Sequence, residues 1–134
     1  MMSNKTQGNR FEQELCEILA KNGFWAHNMA QNQAGQPADI IAVKENVAYL
    51  IDCKLCSSNY FPLSRVECNQ ETAMSLWQDC GNTFCFFAIK LPSGEIYMLP
   101  FEVFIHVKDM GMRILKEIHM SALPTLPQWL EVYG

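Results

Sequence analysis

The chain has 134 residues, 49% hydrophobic and 18% charged, with a formal net charge of −4; that is a globular composition, long enough to bury the core of one domain. It excludes an unstructured polymer, and no run approaches the roughly 20 apolar residues of a membrane-spanning helix. The polar start, Met1 to Gly8, lacks the apolar core of a secretory signal, so a cytoplasmic location away from any membrane is expected.

Gly8 to Asn22 reads as an amphipathic helix, because Phe11, Leu15, Ile18 and Leu19 recur at helical spacing and Asn22-Gly23 stops it. Phe24 to Met29 reads as a short strand, followed by a glutamine-rich loop over 31–37. Ala38 to Val43 and Val47 to Lys54 read as strands joined by the turn Lys44-Glu45-Asn46, which makes them an antiparallel hairpin. After a loop from Leu55 to Ser64, a second helix is predicted from Arg65 to Cys80. Its expected apolar stripe is Ala73, Leu76, Trp77 and Cys80. Thr83 to Ile89 is a near-continuous apolar run, hence a buried strand. Glu95 to Leu99 returns as another strand, and short helical or mixed elements follow in 101–106 and 112–120. The prolines of 123–130 predict an extended tail laid along the surface. The order α-β-β-β-α-β-β describes an α/β domain of the mixed α+β kind, with a central sheet flanked by helices.

Within this framework, charge falls in unusual places. Asp39 opens an apolar strand, and Asp52 and Lys54 close the next one. Strand side chains alternate, so Asp52 and Lys54 share a face while Cys53 points away. A hairpin centred on Glu45-Asn46 sets Asp39 roughly across from Asp52. Two carboxylates and an ammonium therefore meet at one end of a small sheet, where each must be paired, metal-bound or neutralised. A structural Asp–Lys salt bridge is the plain explanation for any one of them, but not for the set.

The string Pro37-Ala38-Asp39, a strand turn, then Asp52-Cys53-Lys54 resembles the motif of the PD-(D/E)XK nucleases. The sequence is most similar to the small archaeal-type Holliday junction resolvases and their phage relatives. Gly8-Asn9-Arg10-Phe11-Glu12 resembles their N-terminal helix motif, a glycine followed four residues later by a catalytic glutamate. Gln70 stands where the group often carries a glutamine. The likeness runs over about residues 5 to 90; here the proline and aspartate are separated by Ala38, and the basic N-terminal segment is reduced to Lys5 and Arg10.

This resemblance implies a restriction-endonuclease-like fold and a metal-dependent endonuclease acting on four-way DNA junctions as a homodimer. It implies catalytic roles for Glu12, Asp39, Asp52, Lys54 and Gln70. Mg2+, with Mn2+ able to substitute, would be held by Asp39, Asp52, Glu12 and the main-chain carbonyl of Cys53. Lys5, Arg10, Gln33, Lys44 and Arg65 are candidate DNA contacts, and the loops 31–36 and 57–61 flank the expected site. An acidic chain is unpromising for DNA, since Lys and Arg supply affinity for phosphate, unless the acids gather round a cation that reverses the local field. Phe84, Phe86, Phe87, Met98, Phe101 and Phe104 are candidates for either core or partner surface. Competing readings are a repair or restriction nuclease acting on duplex, a non-catalytic nucleic-acid-binding module, and a zinc or thiol protein built on Cys53, Cys56 and Cys68.

Overall fold

The structure is a computed structural model that describes residues 4–29 and 38–134, with side chains from Thr6 onward. The glutamine-rich loop, Gln33 included, and the side chain of Lys5 lie outside the described residues. Helix α1 (Asn4–Lys21) leads into strand β1 (Trp25–Asn28), and β2 (Ile40–Lys44) and β3 (Val47–Leu55) form the hairpin. Its turn residues Glu45 and Asn46 have φ of 50° and 69°, the left-handed pair that suits the twist of a two-residue hairpin loop. Next come β4 (Phe61–Pro62), a 3-10 turn (Leu63–Arg65), α2 (Cys68–Asp79), β5 (Phe84–Lys90), β6 (Ile96–Pro100) and α3 (Phe101–Asp109). The chain ends with β7 (Ile114–Leu115), α4 (Glu117–Met120) and α5 (Leu126–Tyr133).

Five strands make one mixed sheet in the order β1-β2-β3-β5-β6. Only β3 and β5 run parallel, and α2 makes the crossover between them. Two apolar cores cover its faces. On one face, Phe11, Leu15 and Leu19 of α1 pack with Phe24, Ile51, Phe86 and Trp129. On the other, Leu50, Phe87 and Ile89 pack with Met74 of α2 and with Phe101 and Phe104 of α3. Each such buried side chain stabilises by about 1.5–3 kcal/mol, and together they clamp β3 from both sides.

The structure differs from expectation in three places. The tail is not an extended surface segment: Leu126–Tyr133 is a helix, and Trp129 is only 1% exposed in its aromatic core. Pro127 lies in the first turn, where a missing N–H costs nothing. Thr125 caps that turn by accepting from Gln128 N and donating its own N–H to Gln128 Oε1. In α2 Met74 is the buried residue and Trp77 is partly buried against the same core, while Leu76 and Cys80 are exposed. The stripe is displaced because the helix begins at Cys68, after a separate 3-10 turn. In the loop 55–64, Phe61 is fully buried because it pairs with Leu115 in a small β4–β7 ribbon. Of the aromatic candidates for a partner surface, Phe86, Phe87, Phe101 and Phe104 are buried, as is Met98, and only Phe84 is partly open.

Candidate active site

Hairpin register places the chemistry. Ile40 pairs with Ile51, and Asp39 N donates to Ile51 O at 3.2 Å, so Asp39 stands across from Asp52 at the end of the sheet. The Cys53 N–H donates to Asp39 Oδ2 at 2.7 Å and fixes that carboxylate. Helix α1 crosses the same end and brings Glu12 in from the other side, one position off its buried stripe. Among the described residues, Glu12, Asp39, Asp52 and Lys54 are the four buried charged ones, between 1% and 9% exposed. With Gln70, Gly8, Asn9 and Cys53 they line a cavity of about 310 Å3.

Asp39 is central. Its carboxyl stands beside Glu12 on one side and Asp52 on the other, close enough to raise the pKa of both. Burial and the neighbouring Asp39 push Glu12 up to about 8. The same causes push Asp52 up to about 7, against the lowering effect of Lys54. Three acids are thus gathered beside the Lys54 ammonium.

The ammonium of Lys54 is held on three sides. It donates to Gln70 Oε1 at 2.9 Å and to Arg65 O at 3.0 Å, and it forms an ion pair with Asp52 Oδ2 at 3.0 Å. The ion pair lacks hydrogen-bond alignment, so Asp52 Oδ2 remains a buried oxygen without a hydrogen-bond donor. Gln70, in the first turn of α2, also donates Nε2 to Asp52 Oδ1 at 3.3 Å and so bridges both members of the D-x-K triplet. An orphaned buried oxygen among carboxylates is a site for a hard cation. Among the described residues no three His, Cys, Asp or Glu groups already form a metal cage. A magnesium-type ion does not require one, because it keeps most of its waters and takes one or two carboxylates. The donor set fits such an ion.

The other expected contacts are scattered. Arg10 is exposed, between the cavity-lining Asn9 and Phe11 but not itself lining the cavity. Lys44 sits at the far end of β2, roughly 17 Å away by strand rise, where Nζ donates to Asn22 O at the end of α1 and lies over the Phe24 ring. That is a helix cap, not a position beside the carboxylates. Arg65 turns its guanidinium back to Leu55 O at 2.7 Å. The role of Arg65's carbonyl in seating Lys54 had no signal in the sequence, since main-chain groups leave none. Cys53 packs on the α1 face and Cys56 in the opposite core, so the CxxC cannot close on one zinc ion.

The family model for the archaeal Holliday junction resolvase (Hjc) matches residues 3–129 of the chain. The chain belongs to that family. It is therefore a DNA endonuclease of the resolvase type, with the restriction-endonuclease-like fold. Among solved structures, the Hjc resolvase of Archaeoglobus fulgidus superposes with a TM-score of 0.68 at 20% identity, over 93% of this chain and 96% of that one. The bacterial homing endonuclease I-Ssp6803I superposes with a TM-score of 0.54 at 18% identity, over 78% of this chain and 70% of that one. No curated protein matches the sequence. Among the described residues, no helix of this resolvase-family chain is long and apolar enough to cross a membrane.

Proposed function

We propose that the protein is a cytoplasmic, Mg2+-dependent, structure-specific endonuclease that hydrolyses phosphodiester bonds in four-way DNA junctions as a homodimer. The observation that carries this reading is the buried Glu12–Asp39–Asp52 cluster with Lys54 beside it and Asp52 Oδ2 lacking a donor. Asp39 and Asp52 would hold the ion, with Glu12 and the Cys53 carbonyl next to it. When bound, Mg2+ or Mn2+ neutralises the phosphate and makes an attached water acidic enough to attack. Asp39 keeps its orientation through the Cys53 N–H. Glu12 would complete the ion's surroundings directly or through a water. Lys54 points its ammonium to where the attacking water and the charged phosphoryl oxygens come together, and Gln70 holds it there. One domain of this size presents one such centre, so cutting two opposed strands requires a two-fold pair.

The test uses a labelled four-way junction and a linear duplex carrying the same arms, each with Mg2+ and with EDTA. Wild type should cut the junction in paired, symmetric positions only with Mg2+. Asp39→Asn and Lys54→Ala should each cut at least about a hundredfold more slowly while folding normally. Equal cutting of the duplex would move the substrate to the repair or restriction type. No cleavage of junction, duplex or single strand would leave a binding module.

A further inference from the structure

Lys54 carries a long, rotatable side chain, and where its ammonium rests depends on its acceptors. Two of these belong to residues already in the site, Asp52 Oδ2 and Gln70 Oε1. The remaining one, at 3.0 Å, is the main-chain carbonyl of Arg65, which ends the 3-10 turn. A main-chain carbonyl cannot swing to follow its partner, so its position is set by whatever anchors the turn. On one side Leu63 does this, being buried and donating its N–H to Arg113 O at 2.9 Å. On the other side the anchor is Arg65 itself: Nη1 donates to Leu55 O at 2.7 Å and lies 3.7 Å from Cys56 Sγ. Leu55 directly follows Lys54. The loop between Lys54 and Arg65 is therefore closed by two opposed contacts, the lysine side chain on the arginine carbonyl and the arginine side chain on the carbonyl after the lysine.

We propose that Arg65 is a positioning residue for cleavage, its guanidinium pinning the 3-10 turn to β3 so that its carbonyl keeps the Lys54 ammonium in place between Asp52 Oδ2 and Gln70 Oε1. This rests on the reading of Lys54 as the residue that meets water and phosphate. Without the clamp the turn moves and the ammonium loses a neutral acceptor. The contacts that remain, Asp52 Oδ2 at 3.0 Å and Gln70 Oε1 at 2.9 Å, both belong to side chains. An ammonium no longer fixed by a main-chain carbonyl spreads over several positions and is less often at the place of the attacking water. Affinity for DNA is not involved, because the guanidinium faces its own backbone.

The experiment compares Arg65→Ala, Arg65→Lys, Lys54→Ala and wild type by single-turnover cleavage of a four-way junction in Mg2+. Junction affinity is measured at several salt concentrations in Ca2+. Arg65→Ala should cut at least tenfold more slowly at saturating protein, with dissociation constant and salt slope as in wild type. Arg65→Lys, which keeps one donor for Leu55 O, should recover part of the rate, and melting temperatures establish that each variant is folded. Wild-type cleavage at saturation together with a salt slope smaller by about one would overturn the proposal and make Arg65 a phosphate contact. Should Arg65→Ala not fold, Arg65→Lys decides alone: reduced maximal rate at unchanged affinity supports the clamp, and weakened affinity at unchanged rate overturns it. Full activity in Lys54→Ala would instead sink the reading of Lys54 on which the clamp depends.

Discussion

Asp52 shows most sharply the conflict between stability and chemistry at a single residue. Its carboxyl is 1% exposed, faces Asp39, and is pushed up to about 7 despite the ammonium beside it. An unfolded chain releases that proton near pH 4. Because the folded-state value is the higher one, the folded protein binds the proton more tightly. Its stabilising effect is complete below about pH 4 and is lost as pH rises through about 7. Without divalent ions, Asp52→Asn should therefore be more stable than wild type at pH 8, by on the order of 3 kcal/mol, and nearly equal to it at pH 4. Urea titrations in EDTA at the two pH values measure this; equal stability at pH 8 would contradict it. The charged triplet was legible because strand alternation alone puts Asp52 and Lys54 on one face and the hairpin centre puts Asp39 opposite. Glu12 was less so. Its helix position places it beside the buried stripe, but nothing local says that α1 ends its crossing over these carboxylates.

At the level of elements, the first helix poses a question that its packing does not answer. Gly8 lies inside α1, where glycine costs roughly 0.5–1 kcal/mol relative to alanine. A Cβ there would meet no atom of the described residues within 4 Å, so nothing in the described fold demands glycine. The residue does line the cavity, one turn before Glu12. Gly8→Ala is expected to raise the melting temperature by a few degrees and to slow junction cleavage at least fivefold, as a methyl group would stand where the DNA backbone approaches. Faster or unchanged cleavage in the more stable variant would argue against a steric role. The strands were legible from apolar runs bounded by turn residues, and the hairpin from Glu45-Asn46. The C-terminal helix was not, because two prolines within four residues read as extended chain. Their true meaning depended on the Thr125 cap, which makes Pro127 a first-turn residue. Helix α2 shows the same limit: without the 3-10 turn in view, its face is read a residue or two out of phase.

On the scale of the whole molecule, charge is the unusual property for a nuclease. The sequence carries 10 Lys and Arg against 14 Asp and Glu. Several of these cations have internal partners: Lys44 caps α1, Lys54 sits in the site, Lys90 pairs with Glu14 and Lys108 with Glu71. On the proposed function, attraction to phosphate draws in part on bound divalent cation, whose charge would reverse the field of the carboxylate cluster. Junction affinity is expected to be at least tenfold higher in Ca2+ than in EDTA at equal ionic strength, measured by titrating a labelled junction. The same affinity in both would locate the attraction elsewhere. Composition alone revealed the acidity but not its distribution, since pairings such as Lys90–Glu14 join residues 76 positions apart.

Gln70 has a consequence beyond catalysis. Its Oε1 accepts from Lys54 Nζ at 2.9 Å and also from the Glu67 N–H at 3.2 Å, where α2 begins. One oxygen atom thus serves two masters, the reacting centre and the first turn of a helix. Through that shared oxygen the place of the Lys54 ammonium and the start of α2 are tied together, so a change at Gln70 disturbs both.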